Sequence, residues 1–287
     1  MTDAENLLER AGLLVGRLEL LLQPVAADID WNHIAFRWRR GRGLQPVAHP
    51  HLIPLESLLC MEPQKQEISR NTRQFVAGRS ANNLLLWGSR GTGKSSLIKA
   101  ILHEFSAHGL RLVEVEKEDL IDLPDIVEHF YGRPERFILF CDDLSFEADD
   151  ASYKSLKAVL DGSIAVPPEN VLIYATSNRR HLLPEFMRDN RETQVVEGEI
   201  HHGEGVEEKI SLSERFGLWL SFYPFNQDEY LRIVDHWLNR LGADTTHDPA
   251  TRTAALQWAL KRGSRSGRVA LQFARDWAGR SGPDNGK

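Results

Sequence analysis

Apolar residues recur along this chain with two periods, and the switches between them mark out its elements. Leu7, Ala11, Leu14, Leu18 and Leu21 fall alternately four and three residues apart, on one stripe of a helix that ends before Pro24. Such a stripe packs either on its own domain or on a helix of a second subunit. In "DWNHIAFRWRRGRG", Ile34, Phe36 and Trp38 alternate with polar neighbours, which predicts a half-buried strand with a solvated arginine face. The same aromatics, interleaved with Arg37, Arg39, Arg40 and Arg42, also suit stacking and charge neutralisation along a nucleic-acid strand.

Helix and strand patterns then alternate. Pro63 to Ala77 predicts a helix, with proline in its first turn and Gly78 just past its end. "NLLLW" predicts a strand, and Ser95 to His108 a helix stopped by Gly109. "LRLVEVE" and "RFILFCDD" read as strands on either side of a helix in "LPDIVEHFYG". Tyr153 to Leu160 reads as a helix, and "NVLIYATSN" and "LWLSFYPF" as two further strands. Strands apolar on both faces that alternate with helices predict an α/β fold with a parallel five-stranded sheet covered on both sides. After Pro224 only helical patterns remain, in three segments separated by glycine turns, which predicts a small all-helical domain. The chain thus divides into an N-terminal helical and basic-aromatic extension (1–50), an α/β domain (51–225), a helical domain (226–280) and a frayed tail (281–287). Residues Asn190 to Ile210, rich in Glu, Gly and His, read as a long mobile loop.

Chemistry concentrates where the "LLLW" strand ends. "GSRGTGKS" follows it and opens a helix, which is the context a phosphate loop requires. Its glycines let successive N–H groups turn toward one anion, and the helix N-terminus adds positive potential. The candidate binding residues are Gly88, Ser89, Arg90, Gly91, Thr92, Gly93, Lys94, Ser95 and Ser96. Lys94 would reach the β and γ phosphates, and the Ser95 hydroxyl would ligate magnesium. "FILFCDD" brings Asp142 and Asp143 to a strand end, the first as the metal-side carboxylate and the second where a water-orienting residue stands.

Composition narrows the picture only a little. A formal charge of −6 and a pI near 6.0 argue against non-specific coating of nucleic acid, while leaving room for a local basic patch. Two widely separated cysteines, Cys60 and Cys141, give neither a disulfide framework nor a zinc site. The acidic N-terminus and the charges in "GLLVGRLELLL" predict no signal peptide and no membrane span, hence a cytoplasmic protein. His201 and His202, beside Glu199 and Glu204, point apart in an extended chain, so no metal site is expected there.

From about Ser57 to Gly279 the sequence resembles the AAA+ ATPases, with the α/β domain as nucleotide-binding domain and the helical domain as lid. "ATSNR" matches the segment with the family's polar sensor-one residue, here Asn178. "LSERFGLWLSF" resembles the arginine-finger segment, with Arg215 as the finger, and "SGRVALQF" the sensor-two segment, with Arg268 as the lid's phosphate contact. Arg215 also reads as a salt-bridge residue, and Arg268 as a solvated one. The wording of "NTRQFVAGRSANNLLLWGSRGTGKSSLIKA" and "DDLSFE" is most similar to a bacterial AAA+ family catalogued as domain of unknown function 815. A weaker likeness runs to replication-initiator and helicase-loader ATPases.

The resemblance implies ATP and Mg²⁺ as ligands, hydrolysis to ADP and phosphate, and a homo-oligomer whose Arg215 acts in trans. The client would be a protein or a nucleic acid that is remodelled or loaded. One departure stands out: many relatives carry Asp-Glu where this chain has Asp142-Asp143. A carboxylate displaced by about 1 Å can slow a reaction ~100-fold. The departure therefore raises a second reading, a slowly hydrolysing assembly switch. A phosphotransferase acting on a small acceptor would leave Arg215 and the lid without a role.

Overall fold

The computed structural model describes residues 29–146, 150–161, 168–179, 194–196, 199–201, 212–243 and 248–281. The helix expected near the N-terminus and residues 282–287 of the tail lie outside these. The strand that leads into the phosphate loop is β3 (Leu84–Gly88), whose three leucines are fully buried. It pairs in parallel with β6 (Val171–Ser177) on one side and β9 (Leu218–Phe222) on the other. Beyond β6 lie β5 (Arg136–Cys141) and β4 (Leu110–Glu114), also parallel. These are the five predicted strands, in the spatial order β4-β5-β6-β3-β9. Helices α1 (Glu62–Val76) and α2 (Lys94–Phe105) cover one face; α3 (Leu123–Glu128) and α4 (Ala151–Asp161) cover the other.

The sheet is wider than expected. β1 (Ala35–Arg39) and β2 (Gly43–Pro46) form an antiparallel hairpin, and β1 pairs in parallel with β4, which makes seven strands. Residues 35–46 therefore belong to the α/β sheet and not to a separate extension ending at residue 50. Phe36 and Trp38 are buried, and Trp31 packs on Phe36, Phe130 and Phe137. Three of the hairpin's four arginines are met by acids of the same chain. Arg37 pairs with Glu114, Arg39 with Glu116 at 2.6 Å, and Arg40 with Asp122 at 2.7 Å. Of the two readings of this segment, the half-buried strand is the one the structure adopts.

Within the segment expected to be a mobile loop, β7 (Gln194–Val196) and β8 (Glu199–His201) form a two-stranded antiparallel ribbon. Val195 lies opposite Ile200 in its register. A β-branched pair suits a strand, and the many Glu and Gly residues around it hide that signal. The rest of that loop, including His202 and Glu204, lies outside the described residues.

Three helices follow: α5 (Gln227–Arg240), α6 (Pro249–Arg262) and α7 (Gly267–Ser281). Asn226 and Glu229 form a reciprocal capping box at the start of α5. Asp248 caps α6, which stops at the left-handed Gly263. Tyr230, Val234, Leu238, Ala270 and Phe273 join the same apolar cluster as the α1–α2 face of the sheet, so the helical part shares a core with it. Burial pushes the Cys141 thiol up to about 12, so it stays neutral at the end of β5.

A buried polar network ties α1 to the strand that leads into the phosphate loop. Asn71 donates to the Asn82 carbonyl at 2.9 Å and to the Tyr174 hydroxyl at 3.1 Å, and it accepts from the Asn82 N–H at 3.0 Å. Asn71→Ala leaves those backbone groups without a partner, at a cost of about 1–3 kcal/mol. A urea unfolding curve should show a lower midpoint with an unchanged slope.

Candidate functional site

Three elements meet at the C-terminal edge of β3. The loop leaves the strand at Gly88, where φ is +129° and a Cβ would lie 2.0 Å from the Phe222 carbonyl oxygen. Only glycine allows β9 to pair this closely. Ser89 N–H then donates to that carbonyl at 2.9 Å. At the other end Gly93 is left-handed, φ +102°, with the Met61 methyl 2.8 Å from the position of a Cβ. α2 begins directly at Lys94, so its N-terminus faces the loop's interior.

Lys94 is 7% exposed, and its ammonium donates to the Gly88 carbonyl at 2.8 Å, the Ser89 carbonyl at 2.9 Å and Asn178 Oδ1 at 3.1 Å. All three acceptors are neutral. Burial lowers the Lys94 pKa below the usual lysine range, and the more distant Asp143 and Asp142 carboxylates offset part of that. A buried cation hydrogen-bonded to neutral oxygens suits an incoming anion.

Asp142 and Asp143 stand just past β5, as the strand pattern predicts. The Ser95 hydroxyl donates to Asp142 Oδ1 at 2.7 Å. A hydroxyl beside a carboxylate is the hard-oxygen donor set that magnesium takes. Asp143 adopts φ +53°, and its carboxylate accepts from the Asn178 amide, with Arg90 4.0 Å away. Asn178 thus bridges Lys94 and Asp143.

Thr176, on β6, is a member that sequence reasoning missed. It donates to Asp142 at 2.5 Å and accepts from the Asp143 N–H at 2.8 Å, so one hydroxyl holds both aspartates in place. The available signal was a polar residue at the end of a buried strand, two positions before Asn178.

These groups open into a cavity of about 680 Å³, a size that suits a nucleotide. Its lining includes the loop from Arg90 to Ser96 with Asp142, Asp143 and Asn178; Gly88 and Ser89 do not line it but accept from Lys94 through their carbonyls. Leu58, Leu59, Met61, Ile233, Trp237 and Leu271 also line it, and sequence reasoning missed them too. Arg268, in the first turn of α7, lines the cavity. Its N–H donates to the Gly91 carbonyl at 3.4 Å, and Phe225 N–H donates to the Arg265 carbonyl at 3.3 Å. Arg215 is not in its own chain's cavity; it forms an ion pair with Asp161 at the end of α4.

A family model described as "Protein of unknown function (DUF815)" matches residues 31–281. The chain belongs to this family. The fold of this DUF815 protein is similar to that of the AAA+ ATPases. A Thermotoga maritima RuvB mutant structure superposes with TM-score 0.51 at 16% identity, covering 77% of this chain and 64% of RuvB. Replication initiator DnaA bound to AMPPCP and single-stranded DNA gives 0.50 at 15% identity, covering 77% of this chain and 63% of DnaA. Aeropyrum pernix Orc1 in complex with DNA gives 0.51 at 15% identity, covering 84% and 64%. The DUF815 chain thus spans less than two thirds of each of these proteins. No curated protein sequence matches it. Among the described residues, no helix is long and apolar enough to cross a membrane, and no group of three or more His, Cys, Asp and Glu is arranged to hold a metal.

The state of Lys94 gives the DUF815 site a pH signature. A polyphosphate beside the ammonium favours its charged form and raises the depressed pKa. Between the free and bound values, binding takes up a proton, so affinity falls as pH rises through that window; below it, Lys94 contributes no pH dependence. Calorimetry of ATP binding in alkaline buffers of different ionisation enthalpy should register this uptake, and Lys94→Met should lose it.

Proposed function

We propose that this protein binds Mg·ATP and hydrolyses it to ADP and phosphate as a homo-oligomer, and uses the cycle to remodel or load a macromolecular client. The observation that carries this reading is the convergence of Lys94, Ser95, Asp142, Asp143, Asn178 and Arg268 on one cavity. Its apolar lining is proposed to take the adenine and its polar lining the triphosphate. Lys94 binds the β and γ phosphate oxygens, and the loop N–H groups orient them. Ser95 and Asp142 hold the metal; once bound, Mg²⁺ supplies charge stabilisation at the phosphate oxygens. Asp143 accepts a proton from the attacking water, and Asn178 fixes the orientation of that carboxylate through the amide contact already present. Arg268 adds positive charge from the helical side, and the apolar wall excludes water.

Arg215 is proposed to complete a neighbouring subunit's site, in keeping with its place outside its own cavity. An arginine finger supplied in trans is worth ~10³ to 10⁵ in turnover. Hydrolysis per subunit should therefore rise steeply with protein concentration. Arg215→Ala should keep ATP binding and lose turnover by about 10³-fold. Mixing it with Lys94→Ala protein should restore part of the rate, because each variant supplies what the other lacks. A rate independent of concentration, with no rescue on mixing, would remove the trans role.

A second reading, an assembly switch with slow turnover, is favoured by Asp143 itself. Its shorter side chain is tied to Asn178, with Arg90 nearby. On that reading Asp143→Glu lengthens the reach and should speed hydrolysis by up to ~100-fold. An unchanged or slower rate in a single-turnover assay would mean that the site is matched to aspartate, and the case for the switch would lapse.

A further inference from the structure

The chain has two concentrations of arginine, and the structure treats them oppositely. In the β1–β2 hairpin, Arg37, Arg39 and Arg40 are each matched by a carboxylate. In the helical part, residues 249–275 contain six cations and no Asp or Glu, within a chain of net charge −6. Four of the six fall in the eight residues from Lys261 to Arg268, across the α6–α7 turn.

Lys261, Arg262, Arg265, Arg268 and Arg275 are all exposed. Among the described residues, none of them has a carboxylate within 4.0 Å. Arg262 lies over the Trp258 ring, 5.3 Å from its centroid. The turn itself is fixed, because Gly263 is left-handed and Ser266, 4% exposed, packs against Gly91. Like charges gathered on a fixed turn without internal partners repel one another, and a polyanion relieves that cost. Of the five only Arg268 lines the nucleotide cavity, so the nucleotide's phosphates do not account for the other four.

The geometry suits a repeating anion. Arg268, Gln272 and Arg275 are exposed at helical spacing on one face of α7. Seven residues of helix put Arg275 about 10 Å along α7 from Arg268, clear of the cavity that Arg268 lines.

We infer that the α6–α7 turn and the adjoining face of α7 bind the phosphate backbone of a nucleic acid, without reading its sequence. This names a class for the client of the proposed ATPase cycle. The contact itself is electrostatic and stands beside the phosphate loop, so it does not require hydrolysis.

The test uses the full chain with fluorescent oligo-dT and, separately, a duplex of mixed sequence, titrated by anisotropy across salt concentrations. Four contacts from Lys261, Arg262, Arg265 and Arg275 predict a log–log salt slope of about −3 on the single strand, at ~0.7 per phosphate. The triple variant Lys261→Ala/Arg262→Ala/Arg265→Ala should reduce the slope to about −1 and weaken binding at least ~10-fold at low salt. It should bind ATP as the parent does, since none of the three lines the cavity. Arg39→Ala/Arg40→Ala, taken from the neutralised hairpin, should leave the DNA affinity unchanged. Lys94→Ala, which tests the nucleotide reading, should still bind DNA without nucleotide, so the two readings fail separately. Absence of DNA binding by the parent protein, or equal binding by the triple variant, would overturn the inference. So would a triple variant that loses self-association in sedimentation while keeping DNA affinity, because the turn would then be a subunit contact.

Discussion

An ammonium group held nearly out of water, with only neutral oxygens to receive it, is the constraint around which this molecule is arranged. Lys94 reaches that position because β3 ends against β9 and α2 starts without an intervening residue after Gly93. A buried cation is tolerated only where hydrogen bonds are complete or an anion is at hand. The two loop carbonyls and Asn178 provide the first condition, and the open cavity provides for the second. The parallel sheet lines up the ends of β5 and β6 beside the loop, which is why two aspartates, a threonine and an asparagine fall within reach of one another.

The polar half of the site was legible because its chemistry is local in sequence. Gly88 to Ser96 form one uninterrupted run, and Asp142 and Asp143 sit at the end of an apolar strand whose direction is fixed by the parallel fold. Asn178 follows by the same logic at the end of β6. The apolar half was not legible, because Leu58, Trp237 and Leu271 come from three distant segments and look like ordinary core residues in each. Thr176 escaped notice for a related reason: its role depends on the register between β5 and β6, which no single strand reveals.

The strands of the central sheet were legible as apolar runs, but their number was not. β1 pairs with β4 across more than 70 residues of sequence, and hydrophobic alternation records only that a strand is half-buried, not where it docks. The acids that decide between the two readings of the arginine-rich hairpin lie on β4 and the segment after it, so charge pairing there became visible only in three dimensions. The separation of residues 1–50 failed at the hairpin for the same cause.

Three hydrogen bonds described separately close into a circuit. Ser89 is joined to Phe222, Phe225 to Arg265, and Arg268 back to Gly91. The chain itself spans Phe222 to Phe225, Arg265 to Arg268 and Ser89 to Gly91, so the circuit has no long slack segment. In mechanical terms it is a short closed linkage whose members are mostly backbone. A displacement of the phosphate loop cannot be absorbed where it arises, and the end of β9 and the first turn of α7 must share it.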